Sequence, residues 1–295
     1  MKAALLPDRG VVKVAGEDAR TFLNGLLTTD IGAVTPAQAR FAALLTPQGK
    51  IVIDCIIVEA PEHDGGGFFL DCPRALAPNF VAKLNFYKLR AKVIAEDLSE
   101  TLGILAAWNG DVAQAYGLSY RDPRLPALGL RCMLAPQRAG EAAAALGAEL
   151  VEAAHYEAHR IALGVPRGGL DFIYGDAFPH EADMDQLGGV DFEKGCYIGQ
   201  EVVSRIEHRG SARTRVVPVA YDGFAPETGL PVTAGEKPLG TFGSAAGGNG
   251  LALLRLDRTD DALAAGLPLI AGGVALTPRK PAWARFDFPG HAKDA

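Results

Sequence analysis

The residues of this chain best suited to chemistry stand together in the run Lys194-Gly195-Cys196-Tyr197-Ile198-Gly199-Gln200-Glu201. A cysteine flanked by glycines, two residues after a lysine and five before a glutamate, is poorly explained as packing. Free cysteine is usually a small buried hydrophobe, and reactivity is what sets a functional one apart. Here the neighbours carry little bulk, and a nearby ammonium favours the thiolate, the form that attacks or ligates. The spacing of Ile198, Val202 and Ile206 predicts a helix from Ile198 onward. That places Cys196 near a helix N-terminus, where aligned peptide dipoles favour negative charge on sulfur. Cys196 is therefore expected to be a reactive thiolate, with Lys194 lowering its pKa. A tight Gly-x-x-x-Gly loop around an inert cysteine is the alternative reading.

Other candidate groups are less concentrated. Asp54 interrupts the apolar run from Ile51 to Val58, and a buried carboxylate needs a partner or a function. A structural salt bridge and a site residue both satisfy that requirement. Phe178-Pro179-His180-Glu181-Ala182-Asp183-Met184-Asp185 reads as a proline-punctuated loop in which Glu181 could offer two parallel acceptors to a planar heterocycle. A solvated acidic loop is the other reading. Arg205, Arg209, Arg213 and Arg215 outnumber Glu207 between Val202 and Pro218, as an anion site or a plain solvated surface would require. His155 and His159 lie four apart but lack the adjacent glutamate of a zinc protease and an obvious third ligand, so no metal site is expected. Cys55, Cys72 and Cys132 sit in apolar, strand-like stretches and read as core residues; no Cys-x-x-Cys pair suggests zinc. Dinucleotide fingerprint, phosphate loop and nucleophile elbow are all absent.

The elements that must position these groups are strands and helices interleaved without a strict βαβ rhythm, which indicates an α+β fold. A strand is expected at Val11 to Val14 and a helix within Gly16 to Asp30. A hairpin follows, Ala39 to Leu45 with Ile51 to Val58, turned by Thr46-Pro47-Gln48-Gly49-Lys50. A strand at Phe68 to Cys72 precedes a helix from Pro78 to about Leu89. Strands near Lys92 to Ala95, Leu102 to Trp108 and Leu128 to Leu134 come next. Helices follow at Ala139 to Leu146 and Ala153 to Leu163, the last stopped by Gly164 and Pro166. After Arg209 helical periodicity disappears, and the strand-like runs between turns predict a small β-barrel at 210–288, with a tail from 289.

With 295 residues the chain should hold two or three domains. A net charge of −6 argues against general nucleic-acid binding by the whole surface, and no apolar run reaches 18 residues, so neither nucleic acid nor membrane is an expected partner. The first residues, Met1-Lys2-Ala3-Ala4-Leu5-Leu6-Pro7-Asp8, resemble neither a signal peptide nor a transit segment, from which a cytoplasmic protein is expected.

Taken together, Lys194 to Glu201 resembles the Lys-Gly-Cys-Tyr/Phe-x-Gly-Gln-Glu signature of the YgfZ family, folate-binding proteins related to the glycine cleavage T-protein that act in iron–sulfur cluster assembly or repair. Weaker segments in the same order extend the resemblance along the chain: Ala15 to Leu23, Leu45 to Lys50, Tyr87 to Val93, His159 to Pro166 and Gly250 to Arg255. The resemblance implies two α+β lobes within 1–209, whose chain need not be continuous, around a central folate pocket closed by the barrel. It implies tetrahydrofolate or a one-carbon derivative as cofactor. Glu181 would hold the pterin, Asp54 would sit near the reacting folate nitrogens, Arg205 would meet the anionic tail, and Tyr87 and Arg90 would line the pocket. Cluster carriers or target enzymes, tRNA-thiolating radical enzymes among them, would be the partners. The T-protein's Asp-Asp pair is here Asp54-Cys55, and the glutamate of its Arg-x-Glu-x-Gly helix is Ala162, which counts against glycine-cleavage chemistry. A folate-dependent aminomethyltransferase or demethylase and a non-catalytic scaffold for cluster carriers are the rival readings.

Overall fold

Two five-stranded sheets account for most of the apolar runs in the first 150 residues. The computed structural model describes residues 1–110, 116–210 and 212–289; the end expected to fray from Gly290 lies outside them. In chain order the elements begin with β1 (Lys2–Leu6), β2 (Arg9–Ala15), α1 (Ala19–Leu26), β3 (Arg40–Leu45), β4 (Ile51–Glu59), β5 (Phe68–Pro73) and α2 (Ala77–Tyr87). They continue with β6 (Ile94–Asp97), β7 (Gly103–Trp108), β8 (Leu118–Arg121), β9 (Leu130–Leu134), α3 (Ala139–Ala145), β10 (Glu149–Leu150), α4 (Ala153–Ala162) and α5 (Gln200–His208). The last are β11 (Thr214–Ala220), β12 (Pro231–Ala234), β13 (Lys237–Ala246), β14 (Asn249–Arg255), α6 (Leu256–Ala264), β15 (Leu269–Ala271) and β16 (Val274–Pro278). They fall into two compact units interleaved in sequence. Unit 1 is Met1–Tyr156 with Leu187–Gln200, and unit 2 is Glu157–Gln186 with Glu201–Ala295.

Unit 1 contains both sheets, ordered β3-β4-β5-β2-β6 and β10-β1-β7-β9-β8. The hairpin β3–β4 turns where Pro47-Gln48-Gly49 requires it, with Gly49 at φ 80° and Asp54 opposite Ala43. Alternation along β4 puts Ile53, Cys55 and Ile57 into one core with Leu23 and Leu26 of α1 and Phe80 and Leu84 of α2. Burying each such large side chain contributes about 1.5–3 kcal/mol. The sheets are also joined through charge. Arg131 of β9 donates from Nη1 to Asp71 Oδ2 of β5 (2.6 Å) and from Nε to Asp122 Oδ2 (2.7 Å). Arg9 of β2 donates from Nε to Asp71 Oδ1 (2.6 Å), and Arg124 forks onto Asp122 at 2.9 and 2.7 Å. These carboxylates are fully buried, so the network is stable only because every charge has a partner.

Unit 2 holds a closed barrel in the order β11-β14-β13-β12-β15-β16, filled by Val217, Val219, Phe242, Leu254, Leu269 and Leu276. One expectation fails here: helical periodicity does not end at Arg209. Leu256, Ala262 and Leu263 of α6 pack on the barrel core, a pattern too short to stand out among strands. The earlier segment of unit 2 is tied to the barrel by polar contacts. Arg160 donates to Asp171 Oδ2 (2.9 Å) and Ser244 Oγ (2.8 Å), and Asp171 Oδ1 accepts from Ser244 N (2.7 Å). Trp283 Nε1 donates to Leu163 O at 2.9 Å.

Candidate functional site

In unit 1 the segment 187–200 is fastened down at both ends of the octapeptide. Before it, Thr28 Oγ1 donates to Gly189 O (2.5 Å), and Asp191 N donates to Thr28 O (2.9 Å). Asp191 Oδ1 then accepts from the backbone N–H of Glu193 and Lys194, folding the chain into a tight turn. Lys194 Nζ donates to Asn24 O, Leu27 O and Thr29 O, each at 2.7 Å. Those carbonyls lie at the C-terminal end of α1, where a cation is favoured by the helix dipole and satisfies groups the helix leaves open. At the other end, Ile198 packs on the core and Gly199 adopts φ 82°. A Cβ at Gly199 would lie 2.6 Å from Thr46 O, so only glycine lets the chain pass over the β3–β4 turn.

Between these two anchors stands Cys196, exposed, whereas Cys55, Cys72 and Cys132 are buried. Burial pushes the Cys72 thiol up to about 12, and Cys55 and Cys132 are raised as well, chiefly by burial. Gly195 beside Cys196 needs no special backbone angle, and a Cβ there would meet nothing within 4 Å. Glycine at 195 is thus not demanded by the fold; it keeps the approach to the sulfur open. Tyr197 points the other way, buried, with its ring centroid 5.3 Å from Lys194 Nζ.

Two of the devices expected to act on the thiol are placed differently. The Lys194 ammonium is committed to three backbone carbonyls; partial burial lowers its pKa to about 8, against the opposing charges of Asp30 and Asp191, so it remains cationic at neutral pH. The helix expected from Ile198 begins at Gln200, four residues after Cys196, because Gly199 is left-handed and Ile198 is drawn into the core.

The remaining candidates divide between the units. In unit 1, Asp54 is buried on the face of β4 opposite Cys55 and lies in the field of Arg9. Tyr87 ends α2, half-buried against the core and edge-on to Phe86 at 5.3 Å, and Arg90 is exposed just beyond it. In unit 2, Glu181 Oε2 accepts from Phe178 N at 2.7 Å, which fixes the carboxylate's direction, while Glu181 O accepts from Val216 N. Arg205 is on the exposed side of α5, paired with Glu201 at 2.5 Å. The rest of the loop is not the solvated acidic turn it resembles. Asp183 is fully buried, and Arg215 Nη1 donates to Asp183 Oδ1 (3.0 Å) and Asp185 Oδ1 (2.9 Å) while Nη2 donates to Asp185 Oδ2 (2.8 Å). Arg215 is accordingly a buried structural cation, not part of a surface anion site. Thr28 and Asp191, which set the octapeptide in place, carry no signal in the sequence, since their partners are identified only by the fold.

Residues 213–286 match the C-terminal β-barrel domain of the CAF17 family. The iron–sulfur cluster assembly factor IBA57 homolog, mitochondrial, of Mycosarcoma maydis is 35% identical over 232 residues, covering 75% of this chain and 57% of the relative. The human iron–sulfur cluster assembly factor IBA57, mitochondrial, is 34% identical over 273 residues, covering 84% of this chain and 76% of the relative. The chain spans little more than half the length of the M. maydis and Neurospora crassa relatives, at 57% and 54%. Among solved structures, the glycine cleavage system aminomethyltransferase T of Bartonella henselae shares the fold with a TM-score of 0.75 over 97% of this chain and 87% of that one, at 17% identity. The α+β architecture with its terminal barrel is thereby established. The expectation of a cytoplasmic protein is overturned, because these relatives are mitochondrial factors by name and a chain's first residues do not fix its compartment. The likeness read from the octapeptide is sustained at the level of assembly factors with a T-protein-like fold, and on the extent and identity of the human match the chain belongs to the IBA57 family of iron–sulfur cluster assembly factors.

Proposed function

We propose that this protein assists iron–sulfur cluster assembly or repair through the thiol of Cys196, in the manner of the YgfZ-type proteins its octapeptide resembles. One observation carries the reading: of four cysteines only Cys196 is exposed, and it is displayed on a segment anchored on either side by Lys194 and Gly199. A cluster commonly takes four protein ligands, so a single accessible thiolate would serve one shared with a partner that supplies the rest. Cluster carriers and target enzymes, tRNA-thiolating radical enzymes included, are the partners this chemistry requires.

Tetrahydrofolate is proposed as the small-molecule ligand. Two residues of unit 2 support this reading: Glu181 has a fixed carboxylate for the pterin's paired N–H donors, and Arg205 is an exposed cation for the glutamyl carboxylates. When bound, the folate would supply or accept a one-carbon unit. An aminomethyltransferase is disfavoured, because Cys55 in place of the second aspartate is buried with its thiol held protonated.

The test pairs two variants. Cys196→Ser should leave the melting temperature unchanged and abolish cluster delivery to a [4Fe–4S] enzyme, while Glu181→Ala should weaken tetrahydrofolate binding at least tenfold by calorimetry. Full delivery by the serine variant would overturn the role of the thiol.

A further inference from the structure

We infer that unit 2 carries a binding site for a first-row divalent metal ion, formed by His180 Nε2, Asp185 and Glu207 in the wall of a cavity of about 500 Å³. One ligand atom from each of the three lies within 4.8 Å of the other two, and His180 Nε2 is 3.0 Å from Glu207 Oε2. A metal bonded at about 2.0–2.2 Å to nitrogen and oxygen holds its ligands about 3–3.5 Å apart. His180 and Glu207 already stand at that spacing, and Asp185 lies within 4.8 Å of both. None of the three ligands is assigned to cluster or folate chemistry, although His180 adjoins Glu181 and Glu207 shares α5 with Arg205, and the site does not rest on that assignment.

The surroundings are built for such an ion. His180 is buried on the turn after Pro179, and Glu207 reaches it from the last turn of α5. Asp185 is held from behind by the Arg215 fork on both oxygens, the way an outer partner orients a ligating carboxylate. The same guanidinium donates to the carbonyl of His180 at 3.0 Å, so one buried residue of β11 fixes two of the three ligands. Among the cavity residues five carboxylates, Asp257, Asp260 and Asp287 with the two ligands, face three guanidiniums, which favours a cation. Asp183, fully buried beside Asp185, has one carboxylate oxygen without a hydrogen bond.

The donor types select the ion. One imidazole with two carboxylates and no sulfur suits Mn²⁺, Fe²⁺, Co²⁺ or Zn²⁺ better than Mg²⁺ or Ca²⁺, which take all-oxygen sets, or Cu⁺, which takes thiolates. Three protein ligands leave positions open towards the cavity for water or a small anion.

The full-length protein, stripped with chelator, should bind one Mn²⁺ per chain by electron paramagnetic resonance titration, with nitrogen coupling from a single imidazole. Zn²⁺ should compete, and millimolar Mg²⁺ should not. Glu207→Gln, on the exposed side of a helix, keeps the fold and should weaken binding at least tenfold; His180→Gln should abolish the nitrogen coupling. Cys196→Ser should bind like the native chain, which separates this site from the proposed thiol chemistry. Absence of saturable binding would reduce the trio to an ion pair only and overturn the site, as would undiminished affinity in Glu207→Gln or loss of binding in Cys196→Ser.

Discussion

Lys194 has contacts that its position beside Cys196 does not suggest. Its position before Cys196 suggests an electrostatic partner for sulfur, yet its three protons go to Asn24, Leu27 and Thr29. Those acceptors lie 165 to 170 positions away in the chain, so no local pattern could reveal them. Lys194→Met should lower unfolding free energy by about 1–3 kcal/mol in denaturant titration, because Leu27 and Thr29 are buried and their carbonyls would lose this donor. Arginine should not restore it, since a planar fork cannot send three bonds to converging oxygens. Alkylation of Cys196 in the folded methionine variant should proceed at a nearly native rate; a large drop would return the lysine to the role its position suggests. Gly199 makes the complementary case. Gly199→Ala combines a left-handed angle with a contact 2.6 Å from Thr46 O and should destabilise by more than about 1 kcal/mol, checked by thermal melting.

At the level of elements, what local chemistry dictates was legible. The β3–β4 hairpin follows from Pro47-Gln48-Gly49 between apolar runs, and α2 begins where Pro78 permits. β1, β8 and α6 escaped notice because each is short and owes its form to a neighbour: β1 to pairing with β7, β8 to β9, α6 to the barrel. The charged seam between the two sheets of unit 1 was equally hidden, since Asp71, Asp122 and Arg131 look unremarkable apart. Burial opposes ionisation of Asp122, but Arg124 and Arg131 outweigh it and hold its carboxyl well below the ordinary 3.8. A folded pKa below the unfolded one stabilises above pH 3.8 and loses that contribution as pH falls through the folded value. The denaturation midpoint of unit 1 should therefore drop below about pH 4. Asp122→Asn should remove that pH dependence while costing about 3–5 kcal/mol at pH 7, read by circular dichroism.

For the whole molecule, the sequence announces a barrel but not the way the chain is shared between units. A contiguous split after residue 209 differs from the observed division, in which Glu157–Gln186 belongs with the barrel. A fragment of residues 1–209 would leave Arg160 and Asp171 without Ser244, and Asp183 and Asp185 without Arg215. Limited proteolysis of that fragment should cut within 157–186 while the sheets of unit 1 stay protected; resistance throughout would contradict the division. Composition cannot signal this arrangement, because the contacts that define it join segments of unlike pattern.

That interleaving also constrains how the protein is made. A growing polypeptide tends to fold its leading domain first as it leaves the ribosome. Here unit 1 still awaits Leu187–Gln200, and Glu157–Gln186 has no home until the barrel strands have been synthesised. The buried aspartates of that waiting stretch stay hydrated until the barrel strands have emerged. A nascent chain of this design carries residues 157–186 without their partners until the barrel is made, which makes early escort by a chaperone an advantage intrinsic to the topology.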